Sequence, residues 1–307
     1  MIEYYPHKKI DNEKWDDCIA HSANEFVYAY SWYLDRVNPD WDAIILDDYQ
    51  AVMPVTRAVK MGIKYIYPPL FTQQLGIFSP EMPSEKLVNE FINLIISKYK
   101  YAQIRLNEYN PVNEAQDYHV RQNNNHEIDL SFSYNTLFEK YNRNCKRNIK
   151  KAENCGLEIR PDISAGTFAA FIKDNLEDQI RQLKRKDYQK LVNLTGYLLH
   201  RKAGELYGCY SPEGILCGAA LFLITKSRCI FSVCASSDYG KQCQAMYLLV
   251  NYQIRKYAGN KMIFDFSGSN IPGIAYFNST FGSEIRHYPV ITFNHLPWPL
   301  RLLKKQV

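Results

Sequence analysis

The chain has 307 residues, more than one compact core usually encloses, so two domains of roughly 150 residues each are expected. With 46% hydrophobic and 22% charged residues it is globular material, which excludes an extended disordered protein. A net charge of +5 suits an anionic partner such as a nucleotide or a tRNA without selecting one.

Residues 1–17 lack the basic-then-apolar order of a secretory signal, so a cytoplasmic location is expected. Residues 42–46 and 51–59 alternate around Asp47-Asp48 and predict a hairpin, with 63–67 as a third strand. A helix then starts at Ser84, a good N-cap, and carries Leu87, Val88, Phe91, Ile92, Ile95 and Tyr99 at helical spacing before a strand over 101–106. The domain boundary is placed near residue 132, giving domains 1–132 and 133–307. Residues 136–154 predict a helix broken near Asn142, with Phe138, Tyr141, Cys145, Ile149 and Ala152 turned inward and Gly156 ending it.

Helices over 164–180 and 187–203 follow, with the polar stretch 177–186 as a flexible loop. Residues 206–210 and 215–225 predict a second hairpin and 228–235 its third strand. The apolar run 215–225 stops at Lys226 and Arg228, short of the roughly 20 residues that span a bilayer, so no transmembrane segment is expected. A buried helix over 241–258, stopped by Gly259, and a strand over 262–266 complete the unit. The order hairpin, strand, helix, strand thus occurs twice, which predicts an α/β protein whose two halves each hold a mixed sheet flanked by helices.

A strand, a crossover helix and a second strand of one sheet are almost always parallel, so the loops after 228–235 and 262–266 share one edge. Ligands of open α/β sheets bind at that edge. The first loop, Ser236-Ser237-Asp238-Tyr239-Gly240, feeds a helix whose free amides favour a phosphate or a developing oxyanion, or else is an ordinary capped turn. The second is Ser267-Gly268-Ser269-Asn270. Asp265 lies in the otherwise apolar Ile263-Phe264-Asp265-Phe266, where a carboxylate must be paired, hydrogen-bonded or facing a cleft; it either serves catalysis or ties down the following loop. Lys140, Arg143, Lys146, Arg147, Lys150 and Lys151 form a basic helix face, solvated or recruiting a phosphate-rich ligand. Gln73 and Gln74 occupy the matching loop of the first half, where amides can hold a peptide or sugar.

The eight cysteines, without any Cys-x-x-Cys, read as buried thiols, and the seven histidines show no metal-ligand spacing, so no metal is expected. The 24 tyrosines offer rings for a ligand groove or for packing. Fingerprints for dinucleotide binding, P-loop phosphate transfer and serine hydrolysis are missing.

Arg147-Asn148-Ile149-Lys150-Lys151-Ala152-Glu153-Asn154-Cys155-Gly156 resembles the Arg-x-x-Ile-Lys-Lys-Ala-x-x-x-Gly segment that introduces the second domain of Fem-type peptidoglycan aminoacyl transferases. Phe264-Asp265-Phe266-Ser267-Gly268, with Phe277 and Phe281-Gly282-Ser283-Glu284 beyond it, is similar to the strand, loop and helix that close the same family's fold. The resemblance implies two GNAT-like domains in tandem and an amine attacking an activated acyl carbonyl. The donor would be aminoacyl-tRNA or acyl-CoA, neither tightly bound. A small molecule or cell-wall precursor would be the acceptor, with tRNA and peripheral membrane contact as further candidate partners.

Donor binding is expected of Ser237, Tyr239, Gly240, Lys241 and Gln242, and substrate binding of Gln73, Gln74, Arg147, Lys150, Ser267, Gly268, Asn270 and Tyr276. Asp265, Tyr239 and Asn278 are the candidate catalytic residues. Two departures matter. Ser237 and Gln242 stand where acyl-CoA-binding GNAT loops carry Gln or Arg and a small residue, which counts against acetyl-CoA. Asn278 stands where many GNAT enzymes carry a tyrosine acid, with Tyr276 nearby. The readings left standing are acyl or aminoacyl transfer, acyl-CoA-dependent N-acetyl transfer, and a silent precursor-binding module.

Overall fold

The computed structural model describes residues 1–60, 62–176, 183–268 and 270–298. The chain divides into two compact units, Met1–Asn124 with the segment from Arg286 on, and Asn125–Ile285. The division therefore falls a few residues before the expected boundary, and the C-terminal strand belongs with the first unit.

The first unit holds β1 (Ile2–Tyr5), α1 (Asn12–His21), α2 (Ser31–Val37), β2 (Asp42–Leu46), β3 (Ala51–Val55), β4 (Arg57–Lys60), β5 (Ile63–Ile66), α3 (Glu85–Lys98) and β6 (Tyr101–Arg105). Strand β7 (His119–Asp129) carries the division point. In the second unit lie α4 (Tyr134–Lys140), α5 (Arg143–Asn154), β8 (Glu158–Arg160), α6 (Ala165–Leu176), α7 (Arg185–His200), β9 (Gly204–Tyr210), β10 (Leu216–Ile224) and β11 (Arg228–Ser236). The unit continues through α8 (Asp238–Gln242), α9 (Ala245–Tyr257), β12 (Ile263–Asp265) and α10 (Pro272–Ser279), and β13 (Glu284–Asn294) follows.

In the first unit β1, β2 and β3 form an antiparallel sheet, while β4, β5, β6 and β13 follow one another in a second. The expected single strand over 51–59 is thus two strands in different sheets, separated at Thr56, whose Oγ1 donates to the Tyr67 carbonyl. Helix α3 begins at Ser84, whose Oγ accepts the Leu87 amide, and its stripe Val88, Phe91, Ile92 and Ile95 is fully buried. It packs into a core with Met53, Ile104 and Ile291.

In the second unit the order is β12, β11, β10, β9, β8, with Glu127, Ile128 and Asp129 of β7 antiparallel to β12. The predicted break at Asn142 is present: its backbone is extended and its Oδ1 accepts the Cys145 amide, so one helix ends and another is capped within a few residues. Helix α9 is separated from α8 by Gln244 in the left-handed region (φ 63°), which corrects the expected continuous helix over 241–258. Its Leu249, Val250 and Ile254 pack with Phe222, Phe264 and Cys229 of the sheet. Of the expected helix over 164–180 and loop over 177–186, residues 177–182 lie outside the described residues.

Both units repeat one arrangement. An antiparallel pair leads to a strand joined through a helix to a parallel neighbour, β5 to β6 across α3 and β11 to β12 across α9. Among the described residues no helix is long and apolar enough to cross a membrane.

Candidate active site

Strands β11 and β12 are in parallel register over Arg228↔Ile263, Cys229↔Phe264 and Ile230↔Asp265. Strand β12 stops there while β11 runs on to Ser236, so among the described residues the β11 edge beyond Ile230 has no strand beside it. On the opposite edge the pairing jumps from Leu221↔Val233 to Phe222↔Phe231, a bulge that leaves Ser232 without an opposite residue and bends the strand. Where the two strands part lies a cavity of about 440 Å³. Strand β11 lines it with Phe231, Ser232 and Cys234, α9 with Met246, and the turn after β12 with Phe266, Ser267, Gly268 and Asn270. Helix α10 and its N-cap close it with Ile271, Gly273, Ile274, Phe277 and Asn278.

The turn is fixed by a buried polar network. Asp265, fully buried, accepts the Ser267 amide (2.8 Å), Asn125 Nδ2 (2.9 Å) and Arg228 Nη1 (2.8 Å). Arg228 also pairs with Glu127, so one guanidinium answers two buried carboxylates. Asn125 Oδ1 accepts the Gly268 amide (3.1 Å), and Asn278 Nδ2 reaches the Gly268 carbonyl (3.4 Å). These contacts hold Ser267 in the left-handed region (φ 54°), a conformation that costs a non-glycine residue on the order of 1–3 kcal/mol.

The expected site residues fall into three groups. Ser267, Gly268, Asn270 and Asn278 line the cavity. Asp265 does not: it sits beneath the turn and clamps it, the second of the two roles its sequence context allowed. Ser237, Tyr239, Gly240, Lys241 and Gln242 leave the same end of the sheet but lie outside the lining. There Ser237 Oγ accepts the Gly240 amide (3.2 Å) and donates to the Cys217 carbonyl (3.3 Å), Lys241 pairs with Asp238 (3.0 Å), and Tyr239 and Gln242 are exposed. Tyr276 is 58% exposed and also off the lining.

Arg147 and Lys150 project from the exposed face of α5, opposite buried Cys145, Ile149 and Ala152, and Arg147 donates to Asn144 Oδ1 (2.6 Å). No tyrosine is among the described lining residues, whose apolar members are phenylalanine, isoleucine and methionine. The lining residues not among the expected site residues are Phe231, Ser232 and Cys234 of β11, Met246 of α9, Phe266, and Ile271, Gly273, Ile274 and Phe277 at α10. The bulge in β11 depends on strand register, for which the sequence carries no local signal. Cys234 is the one titratable side chain among the described lining residues, and burial pushes its thiol up to about 12.

The first unit has a counterpart where β5 and β6 part, paired only at Ile66↔Ala102. Its cavity is about 20 Å³, room for roughly one water. Gln73 lines it, while Gln74 is buried and holds Gln73 Oε1 (3.3 Å) and the Glu108 amide (3.2 Å). It is about twentyfold smaller than the cavity between β11 and β12, too small for a substrate-sized ligand.

Two units with this strand order and parting pair define a tandem GNAT fold. The chain is similar over 99% of its length to the whole of a structure described as FemX, at 14% identity and a TM-score of 0.68. It is also similar to L-PGS from Bacillus licheniformis (11% identity, 95% of each chain, TM-score 0.56). A tandem GNAT protein from the clavulanic acid biosynthesis pathway matches as well (12% identity, 97% of this chain and 99% of that one, TM-score 0.53). No protein-family model matches the sequence, and no curated protein matches it.

Proposed function

We propose that the chain is an acyltransferase that moves an activated acyl or aminoacyl group onto an amine in the cavity between β11 and β12. The observation that carries this reading is the open edge of β11 beyond Ile230, facing a cavity of about 440 Å³. Backbone amides on such an edge are fixed in place and suit the oxyanion that forms when an amine adds to a carbonyl. In the reaction a C–N bond forms and the bond from the carbonyl to the donor's sulfur or oxygen breaks. The surplus ammonium proton passes through solvent to the leaving atom.

No carboxylate, imidazole or amine side chain is among the described lining residues, so catalysis rests on positioning and on backbone dipoles. Asp265 is then a positioning residue acting through the Ser267–Gly268 turn. The basic face of α5, with Arg147 and Lys150, favours an anionic donor such as aminoacyl-tRNA or acyl-CoA. The likeness of residues 147–156 to Fem-type transferases makes a cell-wall precursor amine the acceptor class to try first. Mass-spectrometric detection of an amide product from an aminoacyl-tRNA or acyl-CoA donor supports the reading. Saturable precursor binding with no product from either donor favours the second reading, a silent binding module, for which the lack of an acid-base side chain in the lining speaks.

A further inference from the structure

The lining of the cavity is mostly apolar: Phe231, Met246, Phe266, Ile271, Ile274 and Phe277 surround it. Ile271 and Ile274 are 62% and 45% exposed, so the apolar wall continues out to the rim along α10. Large apolar side chains held open to water beside an apolar hollow mark a ligand surface. The polar residues of the lining are Ser232 on β11, Ser267 and Asn270 in the turn and Asn278 on α10, with Asn278 reaching the Gly268 carbonyl. Size adds a second constraint. An apolar cavity of about 150 Å³ already holds benzene, so a hollow of about 440 Å³ leaves an acetyl or glycyl group largely without contacts.

We propose that the acyl group this site takes is a large apolar one, an alkyl chain rather than an acetyl or glycyl group, lying against Phe231, Met246 and Phe277 with its carbonyl at the open edge of β11. The assignment rests on the acyl-transfer reading and narrows its substrate class. It also gives Gly273 a meaning. A Cβ built there meets nothing within 4 Å, and the residue sits in the lining, so a bulky side chain at this rim position fits without displacing the fold.

Titration calorimetry with acetate, butanoate, hexanoate and octanoate reads the cavity independently of any donor carrier. The expected result is binding about fourfold tighter per added methylene, the factor that about 0.8 kcal/mol of burial supplies. Gly273→Trp is expected to abolish the chain-length dependence while keeping the melting temperature of the parent. Should that variant unfold, Met246→Trp is the alternative plug. Equal affinity along the series overturns the proposal, and so does chain-length dependence seen with n-alkylamines but not with the carboxylates, which would give the cavity to the acceptor. Product formation from acetyl- and octanoyl-pantetheine separates the two claims. Transfer of acetyl with flat carboxylate binding sinks the apolar assignment alone. Chain-dependent carboxylate binding with no amide product supports the apolar cavity and removes the transfer.

Discussion

Gly240 lies so close to Cys217 that a Cβ on it would sit 1.9 Å from the Cys217 carbonyl oxygen. The same carbonyl accepts the Ser237 amide (3.0 Å), so α8 is docked onto the β10 backbone at both ends of its first turn. Glycine at this position is required by packing, because its φ is not in the left-handed region. Gly240→Ala is predicted to cost about 1–3 kcal/mol of stability, read as a lower urea midpoint. A midpoint equal to that of the parent would show that α8 can lift off without penalty.

Arg228 pairs with both Glu127 and Asp265 in the buried network. Replacing it by methionine leaves two carboxylates facing each other out of water, which should destabilise by about 3–5 kcal/mol. Chemical denaturation checks the value; a loss under about 1 kcal/mol would mean that the pair behaves as if solvated.

Asp265 separates a positioning role from proton transfer. Asp265→Asn keeps an oxygen for the Ser267 amide, whereas Asp265→Ala removes it. The asparagine variant is expected to retain most of the turnover on an identified donor and amine, and the alanine variant to lose it mainly through a higher KM. Equal loss of kcat in both, with folding intact, would restore Asp265 as the base.

His126 supplies a pH signature. Its imidazole is buried against Ser283 Oγ (2.8 Å), and burial holds its pKa below the ordinary histidine value. The unfolded chain therefore takes up this proton at a higher pH than the folded one, so the contribution is complete above about pH 6.5 and is lost as pH falls below it. The Tm of His126→Asn should drop less between pH 7 and pH 5 than that of the parent. Parallel curves would show that His126 titrates as it does in the unfolded chain.

The elements legible in the sequence are those that carry their own local signals. Ser84 is a cap with an apolar stripe behind it and starts its helix where expected, and the break near Asn142 falls at the cap of a second helix. The repeated strand, helix, strand order was legible for the same reason. Strand β7 was not: Asn123, Asn125, His126 and Glu127 give it a polar composition that reads as a loop. These side chains are buried because distant partners satisfy them, Tyr288 for Asn123, Asp265 for Asn125, Ser283 for His126 and Arg228 for Glu127. Most of the lining was hidden likewise: the β11 residues Ser232 and Cys234 sit at and beyond a bulge against β10 that depends on strand register. Asp265 stood out as a buried acid, but whether it clamps or catalyses depends on Arg228 and Ser267 in space.

Photolabelling tests the central claim most directly. A thioester or ester donor carrying a diazirine in its acyl chain, competed by the unlabelled donor, is activated on the intact protein and the modified peptides are sequenced. Saturable label in the peptides containing Phe231 to Cys234 or Phe266 to Asn278 is the expected result, because those residues wall the gap between β11 and β12. Saturable label around Gln73 in the first unit, or on α8 without any on β11, would contradict it.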